Sequence, residues 1–232
     1  MKKVIYVTVF AISMGFLETA IVVYLRELFY PDGFEFPLKP MKSYLIFTEL
    51  AREAATLIML AGIAWMAGAS RHTRFAWFIY TFAIWDIFYY VFLKVILNWP
   101  ESVFTWDVLF LIPCLWVGPV LAPVLLSLLM IVIWAIFIYY EKLGYLTVRV
   151  SDYVMLITGA TIQIVNFCWD NLNYLIHTSS DADLHMLHLS YVPQYYNWWV
   201  FGIGCLFIGY SIFKIWNRNS KLLKDLKEGQ LF

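Results

Sequence analysis

The sequence predicts an all-α, polytopic membrane protein with six transmembrane helices, both termini in the cytoplasm, and a Pro/Gly-broken or re-entrant segment before helix four. Three observations lead to this fold class. The 232-residue chain is 62% hydrophobic and 14% charged, whereas soluble domains carry about 25% charged residues. Its mean hydropathy is +0.73. Its apolar residues form runs long enough to cross a bilayer. Most of its basic residues lie in connecting segments that would all be on one side of the membrane.

Breaks in the apolar pattern locate the spans. Residues 29–43 contain three prolines and a glycine, which predict a loop after the first span. The six predicted spans cover residues 4–28, 44–69, 75–99, about 118–140, 153–176 and 197–215. We therefore expect a single six-helix transmembrane domain over residues 1–215 and a basic cytoplasmic tail over 216–232. The first apolar run continues to Leu28 without a small-residue cleavage pattern, so we expect it to remain uncleaved.

The fourth span follows an unusual segment. Residues 108–140 form an apolar run of 33 residues, with Pro113, Gly118, Pro119 and Pro123 in its first half. This run is too long for one straight span. We interpret its beginning as a broken or re-entrant piece, because irregular backbone at membrane depth is tolerated only against protein or a wet cavity. The alternative is one long, kinked helix that begins at the interface.

The distribution of lysine and arginine predicts the orientation. With the N-terminus inside, two basic residues, Lys39 and Lys42, lie in the outer loops. Cytoplasmic segments carry the excess of Lys and Arg in multi-pass proteins. We therefore predict a cytoplasmic (inner) membrane protein of bacterial type. The eleven basic residues of the inner segments are Lys2, Lys3, Arg71, Arg74, Lys142, Arg149, Lys214, Arg218, Lys221, Lys224 and Lys227.

Cysteine and glycine usage gives two structural expectations. Cys114, Cys168 and Cys205 lie in apolar runs without C-x-x-C spacing, so no disulfide or redox pair is expected. Small residues allow helices to approach closely in a membrane. We expect this of the glycines and the cysteine that lie within spans: Gly15, Gly62, Gly159, Gly202, Cys205 and Gly209.

The third span contains charged residues that are costly in lipid. Asp86, Tyr90 and Lys94 recur at i, i+4 and i+8, which places them on one face of a helix. An aspartate or lysine near the centre of a span costs about 2.5–3.5 kcal/mol on insertion scales. This face is therefore expected to contact protein, water or a ligand.

Other spans carry charged residues at similar depths. Glu18 and Glu53 lie near the middle of spans one and two, and Glu49 and Arg52 lie toward the outer side. The inner halves of the spans contain almost no charge. We therefore predict a polar pocket in the outer half of the membrane, lined also by Asp86, Tyr90 and Lys94, with acids in excess of bases.

Span five adds a second polar stripe. Asn166, Asp170, Asn173 and His177 follow one another at i, i+4, i+7 and i+11 and share a helical face. We include these four residues in the predicted pocket for a substrate or an ion.

The outer loop after span five contains candidate metal ligands. In a helix, Asp181, His185 and His188 would share a face. Imidazole and carboxylate groups suit zinc or iron, so a divalent metal is one hypothesis, and a solvated interfacial loop is the alternative. No motif in the sequence requires a cofactor, and the net charge of zero gives no case for nucleic acid.

Three functions remain open from the sequence. The first is binding or translocation of a small polar or amphiphilic molecule or ion, including proton-linked transport. The second is a membrane-embedded enzyme that acts on a lipid or isoprenoid head group, so an enzymatic role is undecided. The third is a non-catalytic or quinone-site subunit of a larger, respiratory-type membrane complex. Contact with the lipid bilayer is expected in each case, as is a homo-oligomer or a partner subunit.

Overall fold

A computed structural model describes residues 2–178 and 190–228. Within these residues the chain forms six long helices and one short β-hairpin. All six helices are long and apolar enough to cross a membrane, which confirms that part of the prediction. The helices are α1 (Lys2–Phe29), α2 (Ser43–Ala67), α3 (Arg71–Leu97), α4 (Leu121–Lys142), α5 (Val150–Thr178) and α6 (Trp198–Lys227), and the strands are β1 (Trp106–Phe110) and β2 (Trp116–Pro119).

Local side-chain chemistry fixes the ends of several helices. The Ser70 hydroxyl accepts the backbone N–H of Thr73 at 3.2 Å, while the Thr73 hydroxyl accepts the N–H of Ser70 at 2.9 Å. This reciprocal capping satisfies two N–H groups at the start of α3. Asn98 ends α3 in the left-handed conformation, with a φ of 52°. The Asn197 side chain caps α6 by accepting the N–H of Val200.

The segment before α4 is a β-hairpin. Its strands are antiparallel, with Trp106 paired to Pro119 and Phe110 paired to Trp116. The alternative of a single long, kinked helix over residues 108–140 is therefore wrong, because the first part of the run is extended backbone. Pro123 lies in the first turn of α4, where no intrahelical N–H bond is lost. The depth of the hairpin in the bilayer stays a prediction.

Helix α3 is the centre of the bundle. It packs against α1, α2 and α4, while α5 pairs with α6 and contacts β2. Helices α1 and α2 both lie against α3 but contact each other much less. One apolar core joins α3, α4, α5 and α6; its buried members are Ala76, Ile79, Ile133, Phe137, Leu156, Ile208 and Ile215. Many outer positions expose large apolar side chains, as expected for contact with lipid.

Two of the predicted packing glycines lie at close helix contacts. A Cβ on Gly15 would lie 2.9 Å from the carbonyl oxygen of Trp85, and one on Gly159 would lie 2.9 Å from that of Gly204. These contacts join α1 to α3 and α5 to α6. By contrast, a Cβ on Gly62, Gly202 or Gly209 would meet nothing within 4 Å.

The two ends of the bundle differ in character. At one end, which we call the basic end, the Lys3 ammonium donates to the Ala67 carbonyl at 2.9 Å, so α1 begins where α2 finishes. His72 and Tyr153 join the starts of α3 and α5 at this end, with 2.7 Å between Nδ1 and the hydroxyl. The opposite end carries the hairpin and the loop over residues 30–42, and we call it the hairpin end.

A disulfide joins the hairpin to α5. Cys114 lies in the turn between β1 and β2, and it is bonded to Cys168 of α5. The expectation of no disulfide was therefore wrong. The two cysteines are 54 residues apart in sequence, so no short spacing pattern could reveal that the fold brings them together. Cys205 is free.

The last helix is longer than the predicted span. It continues without a break through residue 216 and ends at Lys227. Its division into a transmembrane part and a cytoplasmic tail stays a prediction.

Candidate functional site

A cavity of about 190 Å³ lies at the hairpin end between α1, α2, α3 and β1. The hairpin and residues of the 30–42 loop complete its wall. Among the described residues, five carboxylates and two guanidinium groups line it: Glu18, Arg26, Glu49, Arg52, Glu53, Asp86 and Asp107. Aromatic rings form much of the remaining wall: Phe29, Tyr30, Phe34, Trp85, Tyr89 and Tyr90.

Arg52 organises one side of the cavity. Its guanidinium forms an ion pair with Glu18 of α1 and a second with Glu49 one turn earlier on α2, at 2.7 Å. The Thr56 hydroxyl lies 3.4 Å from the other oxygen of Glu18. This network joins α1 and α2, which otherwise touch little, through charged groups at the cavity wall.

Arg26 organises the opposite side. Its guanidinium lies 3.3 Å from the Asp107 carboxylate of β1. The rings of Trp99 and Phe34 enclose the same guanidinium, with centroids 3.7 and 4.6 Å from its central carbon. Cation–π contacts of this kind are favourable where water is excluded. Arg26 therefore holds the hairpin and the loop against α1.

Asp107 is the most enclosed charged group of the cavity. It is 2% exposed, and its Oδ1 atom faces the Arg26 guanidinium. Burial raises the pKa of Asp107 to about 6, and the neighbouring Arg26 limits the rise. The Tyr90 side chain of α3 lies against this carboxylate.

Two further carboxylates face the cavity without forming an ion pair in the described structure. Both oxygens of Glu53 accept the backbone N–H of Leu111, just beyond β1. Asp86 of α3 is 9% exposed and accepts the hydroxyl of Ser127 of α4 at 2.8 Å. Each group is thus held by one neutral donor and has no cationic partner among the described residues.

Six of the residues predicted for a polar pocket line this cavity: Glu18, Glu49, Arg52, Glu53, Asp86 and Tyr90. They come from α1, α2 and α3. A fourth contribution comes from the hairpin through Asp107, and no residue of α5 lines the cavity. The sequence predicts convergence from four spans, the fifth included, whereas the structure brings together three helices and one strand.

Lys94 does not line this cavity. It is exposed in the last turn of α3, and its ammonium donates to the carbonyls of Asn98 and Pro100 at 3.2 and 2.9 Å. A lysine in this position satisfies carbonyls that the end of the helix leaves free.

The predicted stripe of α5 also lies away from the cavity, because α5 packs against α6 and β2 instead of α1 and α2. Asn166 donates to the carbonyl of Asn197, and Asp170 accepts the hydroxyl of Tyr191 at 2.7 Å. Asn173 and His177 are exposed. These contacts tie α5 to the segment that leads into α6.

Asp107 is the residue that sequence reasoning missed. It lies after Pro100 in a stretch whose proline and acid suit the first turn of a short interfacial helix. The only signal was an acid beside a tryptophan at the start of an apolar run. Arg26 lies near the outer end of the first predicted span, and no sequence pattern indicates that it pairs with a residue 81 positions later.

The candidate metal ligands Asp181, His185 and His188 lie outside the described residues. In the parts of the chain that are described, no group of three His, Cys, Asp or Glu side chains is arranged to hold a metal ion. The metal hypothesis therefore stays a prediction.

Comparisons with known protein families, with curated proteins and with solved structures found no match to this chain.

Proposed function

We propose that this membrane protein binds a small polar or amphiphilic molecule or ion in the cavity at its hairpin end. The observation that carries the proposal is the convergence of seven charged side chains from three helices and a strand on one hollow. Each charged group in a span costs several kcal/mol unless it is paired or solvated. Pairs that only hold helices together need no hollow between them, whereas a binding site does.

The proposal extends to translocation, because intramembrane carboxylates are typical of proton-linked and ion-linked carriers. Helices α1 and α2 contact each other little and are bridged by Arg52 and its two glutamates. A bound molecule that competes for these charges could change the spacing of the two helices. This feature favours a carrier over a rigid scaffold.

Two independent features support an outward-facing cavity with both termini in the cytoplasm. Eleven basic residues belong to the segments at the basic end or beyond it, and two belong to the outer loops. The Cys114–Cys168 disulfide lies at the hairpin end, and disulfides persist in oxidising compartments outside the cytoplasm. Both features support a hairpin end on the non-cytoplasmic side of the inner membrane.

Cysteine labelling in intact cells tests this orientation. Glu35→Cys and Lys142→Cys lie at exposed positions at opposite ends of the bundle, and each is made in a Cys205→Ser background. In intact cells, a membrane-impermeant maleimide is expected to label Glu35→Cys but not Lys142→Cys. Lys142→Cys should be labelled once the cells are opened. The reverse pattern would contradict the proposed orientation.

Cysteine labelling also tests access to the cavity. Val22 of α1 lines the cavity, whereas Leu17 of the same helix is exposed on its outer face. In the Cys205→Ser background, small water-soluble methanethiosulfonate reagents are expected to modify Val22→Cys in intact cells. Leu17→Cys should react slowly, because a thiol in lipid does not ionise. If Val22→Cys reacts no faster than Leu17→Cys, the cavity is closed to the outside and the proposed function fails.

A further inference from the structure

The charge balance of the cavity restricts what can bind there. Among the residues that the structure describes, five carboxylates and two guanidinium groups line it. Arg52 is engaged by Glu18 and Glu49, and Arg26 is engaged by Asp107. The remaining carboxylates have no ion pair in the described structure. In a poorly solvating medium, carboxylates without a cationic partner either take up protons or attract a ligand that supplies positive charge.

Asp107 adds a fifth carboxylate to the wall, beside Tyr90 of α3. Its single cationic partner in the described structure is Arg26, at 3.3 Å. The rings of Trp99 and Phe34 cover the same guanidinium, so Arg26 is already engaged on several sides.

The walls suit an organic cation. Trp85, Tyr89, Tyr90 and Tyr30 line the cavity beside the carboxylates, and aromatic rings attract ammonium groups through their negative faces. The volume of about 190 Å³ is below the range of about 300–1,000 Å³ that is usual for drug-sized ligands. Across the described ranges, the carboxylates are not grouped as ligands of one metal ion.

We propose that the ligand is a small organic cation, a protonated amine or quaternary ammonium with a short apolar part, held by Glu53, Asp86 and Asp107 against aromatic rings. This inference rests on the proposed function, because it names the ligand class of the same cavity. The bound cation supplies the charge that the two guanidinium groups do not.

Labelling rates at Val22→Cys test the charge preference. The probes are two methanethiosulfonate reagents of similar size, one with a trimethylammonium group and one with a sulfonate group. For each reagent, the rate at Val22→Cys is divided by the rate at the loop position Glu35→Cys. The cationic reagent is expected to react at least tenfold faster than the anionic one at Val22→Cys, since acidic clefts concentrate cations. Equal normalised rates, or a faster sulfonate, would overturn the inference and leave the proposed function standing. If neither reagent reacts, the proposed function itself fails.

Isosteric variants show which groups set the preference. Glu53→Gln and Asp86→Asn keep an acceptor for Leu111 and Ser127 respectively, so both variants are expected to fold. Each should lower the cation preference at Val22→Cys several-fold. Glu27→Gln is the matched control, because Glu27 follows Arg26 on α1 but is exposed outside the cavity. An equal effect of all three variants would show that general surface charge sets the rates, which overturns the assignment.

Protection from labelling tests binding itself. Benzyltrimethylammonium is expected to slow modification of Val22→Cys by a neutral reagent in a saturable manner, while benzenesulfonate is not. Asp86→Asn should raise the concentration of benzyltrimethylammonium that gives half protection. Equal protection by both compounds would show that the apolar ring alone is recognised, and protection by neither would show that no such cation binds.

Discussion

Both carboxylate oxygens of Glu53 accept the backbone N–H of Leu111, at 3.1 and 3.0 Å. This contact joins the middle of α2 to the turn of the hairpin and closes one wall of the cavity. A charged side chain within a span thus satisfies a backbone donor that the irregular turn leaves free. The residue serves both the architecture and the charge of the cavity.

Replacing Glu53 by alanine is expected to lower the free energy of unfolding by about 1–3 kcal/mol, because the N–H of Leu111 loses its acceptor. Glu53→Gln keeps an acceptor and should lose less. Denaturant titration of the purified protein in mild detergent measures both changes. Glu27→Ala, at an exposed position of α1, is the control. Equal stability of the alanine and glutamine variants would contradict the assigned contact.

The Cys114–Cys168 disulfide is expected to stabilise the fold by restricting the unfolded chain. Its cysteines are separated by 54 residues, for which loop-closure entropy gives about 4 kcal/mol as an upper value. Cys168→Ser should therefore unfold at much lower denaturant concentration than Cys205→Ser. Maleimide labelling of the denatured, unreduced wild-type chain should modify one thiol, and three after reduction. Three reactive thiols before reduction would refute the bond.

Close packing of α5 on α6 predicts a steric effect at Gly159. A Cβ there would lie 2.6 Å from a side-chain carbon of Ile208 and 2.9 Å from the Gly204 carbonyl oxygen. Gly159→Ala is expected to cost about 1–3 kcal/mol, as overpacking usually does. Gly202→Ala has open space and should be neutral or slightly stabilising, since alanine favours helix. Thermal unfolding of both variants tests this contact. Similar changes in the unfolding temperature of the two variants would argue against it.

The helices could be predicted because their signal is local. An apolar run of about 20 residues has few structural alternatives in a membrane, and α2 (Ser43–Ala67) starts one residue from the predicted span. The hairpin could not be predicted in the same way, because an apolar stretch with several prolines suits a broken helix as well as two strands. Its identity depends on pairing between Phe110 and Trp116 and on packing against α5.

From the sequence, the site could be predicted only from the depth of each charged residue along its span. Glu18, Arg52 and Asp86 lie at similar depths, and α1, α2 and α3 are neighbours, so they meet at one cavity. Asp170 has a comparable depth, but α5 lies on the other side of the bundle and gives it Tyr191 as a partner. Sequence periodicity describes the face of a single helix, and the choice of neighbouring helices needs the tertiary structure.

An ion pair at the basic end joins α5 to α6. The Arg218 guanidinium of α6 contacts both oxygens of Asp152 of α5, at 2.6 and 3.0 Å, and Asp152 is fully buried. Asp152 also accepts the backbone N–H of Arg149 at 2.8 Å. Arg218→Met is expected to lower the free energy of unfolding by about 2 kcal/mol, because the Asp152 carboxylate loses two charge-assisted hydrogen bonds. Lys221→Met, at an exposed position of the same helix, should change stability little.

The double variant Asp152→Asn with Arg218→Met removes the unpaired charge and should recover part of the loss. Denaturant titration of the three variants in one detergent tests the pair; a double variant less stable than Arg218→Met would show that the unpaired carboxylate is not the cause.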